Sequence, residues 1–513
     1  MAVAYEYLSC AVNRTSHVAE WVRLRSEDAE EDTYVFGVHK GFVSAAVPGT
    51  RPASRWATSC RDAVYVLKAA PAPDANPALM LGSYSGDLEV WRAVAESGAF
   101  SWRCDVAVQN AHGASITALG VVRDAMSVAR SASVFATGST DNTLKVWELT
   151  RGDTLQADVV QEISLGGRYA LDIAVAHLPN GNEPLTTLMA VALTDKKVHL
   201  YVREAGGEFT LRLQLEGHED WVRALDFCVA PSVRGGAYDV HLASAAQDNN
   251  VRVWRIQAES VAGVERAPAD AFERMAAELL PDDDQGINTK KNWLSFAHAS
   301  QRWAVSLDAM LVGHDAWVTG VRWFPSLSAD AQRAVLLSSS VDNSMILWSP
   351  QEPGATEWPL LSDEAASHAL WLPVHRLGDV GSLSGGFLGA TWQPTTSRPS
   401  VLTYDRQGAA HLWALADGQQ RFLPGATLSG HAGPARGLAW EPYGDYFLST
   451  GYVPRLTQRG PHHTLARHLL PSGRRRGRGC RALVARDGAT ADARLRPRPG
   501  RVARPRVVCE RGG

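Results

Sequence analysis

The sequence predicts an all-β fold made by repeating one small antiparallel sheet around a ring. Six stretches close on the same short phrase: SYSGDLEVW at Trp91, GSTDNTLKVW at Trp147, ALTDKKVHLY at Tyr201, SAAQDNNVRVW at Trp254, SSSVDNSMILW at Trp348 and YDRQGAAHLW at Trp413. Four of them carry an Asp six positions before the aromatic, at Asp141, Asp195, Asp248 and Asp342. Three are preceded by a Gly-His or Ala-His pair, Ala111-His112, Gly217-His218 and Gly313-His314. Self-similarity of this kind is the signature of a repeat architecture.

In chain order, the first unit is the least regular. Trp21-Val22-Arg23-Leu24 and the run YVFGVHKGFVSAAV from Tyr34 give two strand-like segments and a turn but no closing aromatic phrase, so this stretch reads as a degenerate first repeat. Each later unit runs from a small-residue strand through a turn into an alternating strand. The segments WVRALDF from Trp221 and WVTGVRW from Trp317 alternate with period two, which predicts half-buried strands. The units contain several short strands and no helix.

These features resemble the WD40 repeat, with its Gly-His start, its Trp-Asp-like end and a period of roughly 40 to 45 residues. The resemblance implies a ladder in which His, a strand Ser or Thr, a turn Asp and the closing Trp satisfy one another's buried polar groups. It maps most fully onto His218, Ser244, Asp248 and Trp254, and onto His314, Ser338, Asp342 and Trp348. It maps less completely onto His112, Asp141 and Trp147, and only as Asp195 in the unit closing at Tyr201. A His, Asp and Ser together also resemble a hydrolytic triad, but a catalytic set need occur once, whereas this one recurs with the repeat, which marks a structural role.

The degenerate unit and the six closing phrases together predict a seven-bladed WD40 β-propeller over residues 1–415, closed so that no long pairing edge is left exposed. An eighth unit, ATLSGHAGPARGLAWEPYGDYFLSTG from Ala426, has the Gly430-His431 pair but no closing phrase, and 426–451 reads as the start of a second propeller. One insertion, from about Gln257 to Leu307, interrupts the repeats with a helix-like DAFERMAAELL, an acidic turn at Pro281 to Asp284 and SFAHASQRW. It reads either as a partner-binding loop or as a tolerated disordered one.

Residues 452–513 change character. They hold 16 Arg against three acids, Asp487, Asp492 and Glu510, which leaves 35 basic and 51 acidic residues for 1–451. The near-neutral total therefore divides into a body of net −16 and a tail of +13. An Arg-, Pro- and Gly-rich segment of this kind is expected to be disordered. RRRGRG at Arg474 to Gly479 reads as a nucleic-acid or import signal; the abrupt change inside a repeat and the lack of Lys favour instead an out-of-frame or mis-spliced product, and no function is assigned to the tail.

No signal peptide and no apolar run of membrane-spanning length is present, so no membrane is expected. Cys10, Cys60, Cys104 and Cys228 show no paired spacing, which suits a reducing compartment. Asn13-Arg14-Thr15 matches a glycosylation sequon by chance. No phosphate-binding Gly-rich loop, zinc-protease motif or nucleophile elbow occurs, and GDVGSLSGG at Gly378 to Gly386 reads as a loop. His462, His463, His468 and Cys480 lie in the tail and are not taken as metal ligands. The expectation is a non-enzyme with no cofactor, no metal and no catalytic residues.

The wording of the later repeats goes further. LEGHEDWVRALDF, LVGHDAWVTGVRWFP, SVDNSMILWSP, VHRLGDVGSLSGGFLGATWQP and the unit from Ala426 resemble the Elongator complex protein 2 family, over nearly all of 1–451. That resemblance implies a non-catalytic scaffold of two seven-bladed propellers in Elongator, holding the catalytic acetyltransferase-like subunit beside the largest subunit. It implies a supporting role in wobble-uridine modification of transfer RNA, with transfer RNA touched at most indirectly, in the cytoplasm and also the nucleus. Here almost all of the second propeller is lacking, as in a C-terminally truncated or frame-shifted member. The alternative is a generic WD40 adaptor, such as a ubiquitin-ligase substrate receptor or a chromatin-associated propeller. Direct RNA binding would need a basic face, which the acidic body argues against.

Overall fold

A computed structural model describes most of residues 64–429, together with strand backbone at 4–6, within 19–57 and within 435–485; the longest stretches outside the described residues are 260–296, 352–369 and 486–513. The described residues form strands, turns and bends, with no helix among them. Antiparallel sheets of the propeller-blade kind follow one another over 19–57, 64–108, 116–164, 170–215, 222–312, 318–378 and 387–429; each has four strands in chain order, except that in 222–312 the short strand Ala297–His298 adds a fifth outside Gln301–Val312. A further sheet joins Ala435–Trp440, Tyr446–Val453, His462–Leu469 and Arg481–Ala485, and Ala4–Glu6 pairs with the last of these in parallel.

The first strand of each sheet lies beside the first strand of the next. Ala435–Trp440 lies against both Phe387–Trp392 and Ala19–Arg25. Adjacent first strands run the same way, as the parallel bridge between Val122 and Val175 records. Two recurrent defects shape the six sheets from 64 to 429. The pairing of first and second strands slips one residue after the strand start, between Ile116 and Ala118, Val222 and Ala224, and Val318 and Gly320. The pairing of third and fourth strands slips at the closing aromatic, between Val146 and Trp147, Val253 and Trp254, and Leu347 and Trp348. A bulge bends a strand and raises its twist, which suits sheets that must stand radially around a centre.

The core lies between sheets rather than within one. Leu188, Leu200 and Val202 of one sheet pack against Val222, Leu242, Trp254 and Trp303 of the next, and Ala243, Val251 and Leu311 pack in turn against Val321, Leu336 and Trp348. Each Val or Leu side chain among them contributes about 1.5–3 kcal/mol through burial. No sheet can bury both faces alone, so every repeat depends on its neighbours.

Two expectations need adjustment at their edges. The seventh sheet continues past Leu415 to Phe422–Ser429, because the strand after a closing aromatic completes that aromatic's own sheet. The ends of the insertion are strand rather than loop: Asn250–Glu259 pairs with Gln301–Val312 out to Glu259 opposite Arg302, extending the hairpin. The helix-like stretch, the Pro281 turn, Gly430-His431 and Cys480 lie outside the described residues.

Candidate functional site

The structure gathers the repeated polar residues at one end of each sheet, where the second strand turns into the third. His218 Nδ1 stands 2.8 Å from Asp248 Oδ2, and its Nε2 stands 2.9 Å from Ser244 Oγ. The Trp254 indole N–H donates to the same Ser244 oxygen at 3.0 Å. His314 repeats the arrangement with Asp342 at 3.0 Å and Ser338 at 2.8 Å, and Trp348 donates to Ser338 at 2.8 Å. For His112 the distances are 3.2 Å to Asp141 and 2.7 Å to Thr137, with Trp147 donating to Thr137 at 2.8 Å. Thr137 is the hydroxyl that sequence reading left unassigned in this unit.

Each turn Asp does more than face its His. Asp248 Oδ2 accepts the Glu219 N–H, Asp342 Oδ2 the Asp315 N–H and Asp141 Oδ2 the Gly113 N–H, all within 2.7–2.9 Å. The other carboxylate oxygen accepts the N–H two residues on, from Asn250, Ser344 or Thr143, which forms the turn itself. The next residue sits in the left-handed region, with φ of 68° at Asn142, 67° at Asn249 and 64° at Asn343. Asn tolerates that conformation better than other side chains, which is why the phrase reads Asp-Asn.

Burial works against ionisation of Asp248 and Asp342. The hydrogen bonds from His218 and His314 outweigh it, so both carboxyls titrate below the usual carboxylate range. Asp141 is likewise lowered, its burial offset by bonds from Thr143 and Gly113. Burial pushes the His112 imidazole down, against the pull of Asp141.

Asp195 is held differently. Its unit has no Gly-His pair, and Asp195 Oδ2 instead meets His199 Nε2 at 2.8 Å and Arg168 Nε at 3.4 Å. The same substitution occurs in the seventh sheet, where Asp405 Oδ2 meets His411 Nε2 at 3.0 Å. In both, the His moves from the connecting loop to the third strand. His199, His411 and Asp405 were not singled out from the sequence, although each lies within the closing phrase or next to it.

A second set of bonds joins sheet to sheet. Asp172 Oδ2 accepts the Leu225 N–H at 2.9 Å, and Asp226 Oδ2 accepts the Trp323 N–H at 2.9 Å. Thr117 Oγ1 donates to the Ala170 carbonyl and Thr319 Oγ1 to the Phe387 carbonyl, both at 3.0 Å. The Leu-Asp pairs Leu171-Asp172 and Leu225-Asp226 were the available signal.

Chemically, the ladders are closed. Ser244 and Ser338 have no exposed surface, and each hydroxyl is already engaged by an imidazole and an indole. No substrate atom reaches such an oxygen. Among the described residues no group of His, Cys, Asp and Glu is placed to hold a metal ion. Burial raises the Cys104 thiol to about 12, so it stays protonated.

The WD domain, G-beta repeat profile matches residues 104–148, 209–255 and 306–349, the three units with the full His ladder. Over 384 residues, or 74% of this chain and 40% of the relative, the chain is 31% identical to Elongator complex protein 2 of Danio rerio. The chain is a WD40-repeat relative of Elongator complex protein 2. The protein of that name from Drosophila melanogaster is 31% identical over 62% of this chain and 36% of its own length, and that from Homo sapiens 26% identical over 62% and 34%. The chain thus spans two fifths or less of the length of these Elongator complex protein 2 relatives. Among the described residues no helix is long and apolar enough to cross a membrane.

Proposed function

We propose that this chain is a non-catalytic scaffold subunit of Elongator, supporting wobble-uridine modification of transfer RNA by holding the catalytic and largest subunits together. The observation that carries this reading is the likeness to Elongator complex protein 2 over 384 residues. The ladder geometry supports it, because the polar residues that would otherwise suggest catalysis are spent on joining strands inside each sheet. A rigid ring of sheets offers two faces and a rim to several partners at once, without chemistry of its own.

The ladder residues His112, Asp141, Trp147, Asp195, His218, Ser244, Asp248, Trp254, His314, Ser338, Asp342 and Trp348 act in this reading as structural pegs. We further read 1–415 with its completing strand as the seven blades of one propeller and 426–451 as the opening of a second, in keeping with relatives more than twice as long as the matched segment; in this chain Ala435–Trp440 stands between the seventh sheet and the first. The cytoplasm, with the nucleus as a second compartment, is the expected location.

The test is genetic. Cells deleted for their own Elongator complex protein 2 are supplied with this chain, and modified wobble uridines are measured by mass spectrometry of digested transfer RNA. Restoration above the empty-vector level supports the proposal; levels equal to the empty vector count against it.

A further inference from the structure

The connecting loops before two neighbouring sheets end on solvent-facing indoles. Trp221 immediately precedes the strand Val222–Pro231 and is 37% exposed; Trp317 immediately precedes Val318–Trp323 and is 50% exposed. Tyr169, half-buried, holds the same place before Ala170–Leu178 in the preceding sheet. Their equivalence is fixed by backbone bonds. The Trp221 carbonyl accepts the Gln247 N–H and the Trp317 carbonyl the Val341 N–H, each from the turn that carries the ladder Asp.

The three strands also stand side by side with their starts level. Asp172, near the start of its strand, binds the Leu225 N–H and Asp226 the Trp323 N–H, and Thr319 reaches the first residue of the following sheet. Tyr169, Trp221 and Trp317 therefore form an arc at one mouth of the ring. Trp147, Trp254 and Trp348 are buried with their indole N–H groups bonded. Neither Trp221 nor Trp317 has a side-chain hydrogen bond among the described residues. Trp221 and Trp317 thus keep part of each indole open to solvent at the same place in successive units, while the rest packs on the protein.

Carboxylates flank both indoles. Glu219 and Asp220 precede Trp221, and Asp315 lies two residues before Trp317. Asp220 caps the Trp221 N–H at 2.8 Å, and the exposed Asp315 stands 3.5 Å from Arg376. The Glu219 side chain has no ion-pair partner among the described residues. Exposed Arg223 and Lys196 share this end, as do Arg252, Arg168 and Arg376, but all except Arg223 are engaged: Lys196 by the Glu219 carbonyl at 2.7 Å, Arg252 by the Gly217 carbonyl at 2.6 Å, Arg168 by Asp195 at 3.4 Å and Arg376 by Asp315 and Asp342. Behind the arc lie the ladder carboxylates Asp195, Asp248 and Asp342, and the body as a whole carries −16. An indole face beside carboxylates attracts guanidinium and ammonium groups through its quadrupole as well as by charge.

We propose that Trp221 and Trp317 form a docking platform for a cationic, Arg- or Lys-bearing segment of a protein partner. This holds whether or not the chain joins Elongator. Side-chain cations stack on the two indoles, while Glu219 and Asp315 supply counter-charge. Trp and Tyr at the centre of such a patch carry a large share of a binding energy.

The full chain is titrated into a fluorescein-labelled oligoarginine peptide, with an oligoglutamate peptide and a single-stranded oligouridine as competing chemistries, and anisotropy is read. The arginine peptide is expected to bind and the other two not. The Trp221→Ala/Trp317→Ala variant should bind it roughly tenfold more weakly, while remaining folded by circular dichroism at the assay temperature. Trp221→Phe/Trp317→Phe should recover much of the loss, Glu219→Gln/Asp315→Asn should weaken binding, and Leu423→Ala, on the outer strand of another sheet, should leave it alone. Equal binding by the double Ala variant, no binding by the wild-type chain, or tighter binding of the oligouridine or oligoglutamate would overturn the proposal.

Discussion

Asp226 holds the backbone N–H of Trp323, 97 residues later and one sheet on, at 2.9 Å, while the Trp323 indole returns a bond to the Asp226 carbonyl at 3.0 Å. The pair is buried, so neither partner has water as a substitute. Repeats that pack only on their neighbours depend on such contacts for register as much as on apolar area.

Asp226→Ala is expected to destabilise the chain by about 2–3 kcal/mol, the loss of a hydrogen bond to a charged group together with a buried N–H left unpaired. Asp172→Ala should cost a similar amount through Leu225. Urea unfolding followed by circular dichroism measures both; a cost under half a kilocalorie would show that the contact between sheets is dispensable.

Ser338→Ala removes the shared acceptor of Trp348 and partner of His314 in one step. About 2 kcal/mol of stability should be lost. In a double-mutant cycle with His314→Ala the two costs should fall well short of additive. Additive costs would mean that the three side chains do not act as a unit.

Lys196 occupies the left-handed turn position that Asn fills in three other sheets, with φ of 69°. Lys196→Asn should therefore stabilise by about 0.5–1 kcal/mol, since the strain falls on the folded state alone. A melting temperature at or below that of the wild type would contradict this account of the turn.

Acid should act in two stages. The lowered carboxyls of Asp141, Asp248 and Asp342 contribute stability that is fully present above their unfolded value of 3.8 and is lost as pH falls through their folded values. For His112, also lowered, the unfolded chain takes the proton first, so its contribution fades as pH drops below 6.5. Melting temperatures between pH 8 and 3 should show a shallow decline starting below about 6.5 and a steeper one below about 4. His112→Asn should diminish the first stage and leave the second.

Much of this was legible in the sequence, for a definite reason. A ladder needs the same side chains at the same spacing in every unit, so His218, Asp248 and Trp254 announce themselves by recurring as His314, Asp342 and Trp348. The bulges at Trp147, Trp254 and Trp348 left no mark, because a slipped register changes hydrogen bonding without requiring a particular residue. His199 and His411 were missed because each does the loop histidine's work from a strand position outside the motif. Asp172 and Asp226 sit among apolar strand residues, where only contact with the neighbouring sheet reveals their use. Trp221 and Trp317 were read as strand starts, and their exposure is a property of the ring, not of the local pattern.

The central claim, a platform within Elongator, is tested most directly by affinity purification of the tagged chain from cells that express the other subunits, with quantitative mass spectrometry of what is retained. The account predicts that the largest subunit and the acetyltransferase-like subunit are enriched together and survive moderate salt. Recovery of the chain with neither, under conditions where full-length Elongator complex protein 2 retains both, would contradict it.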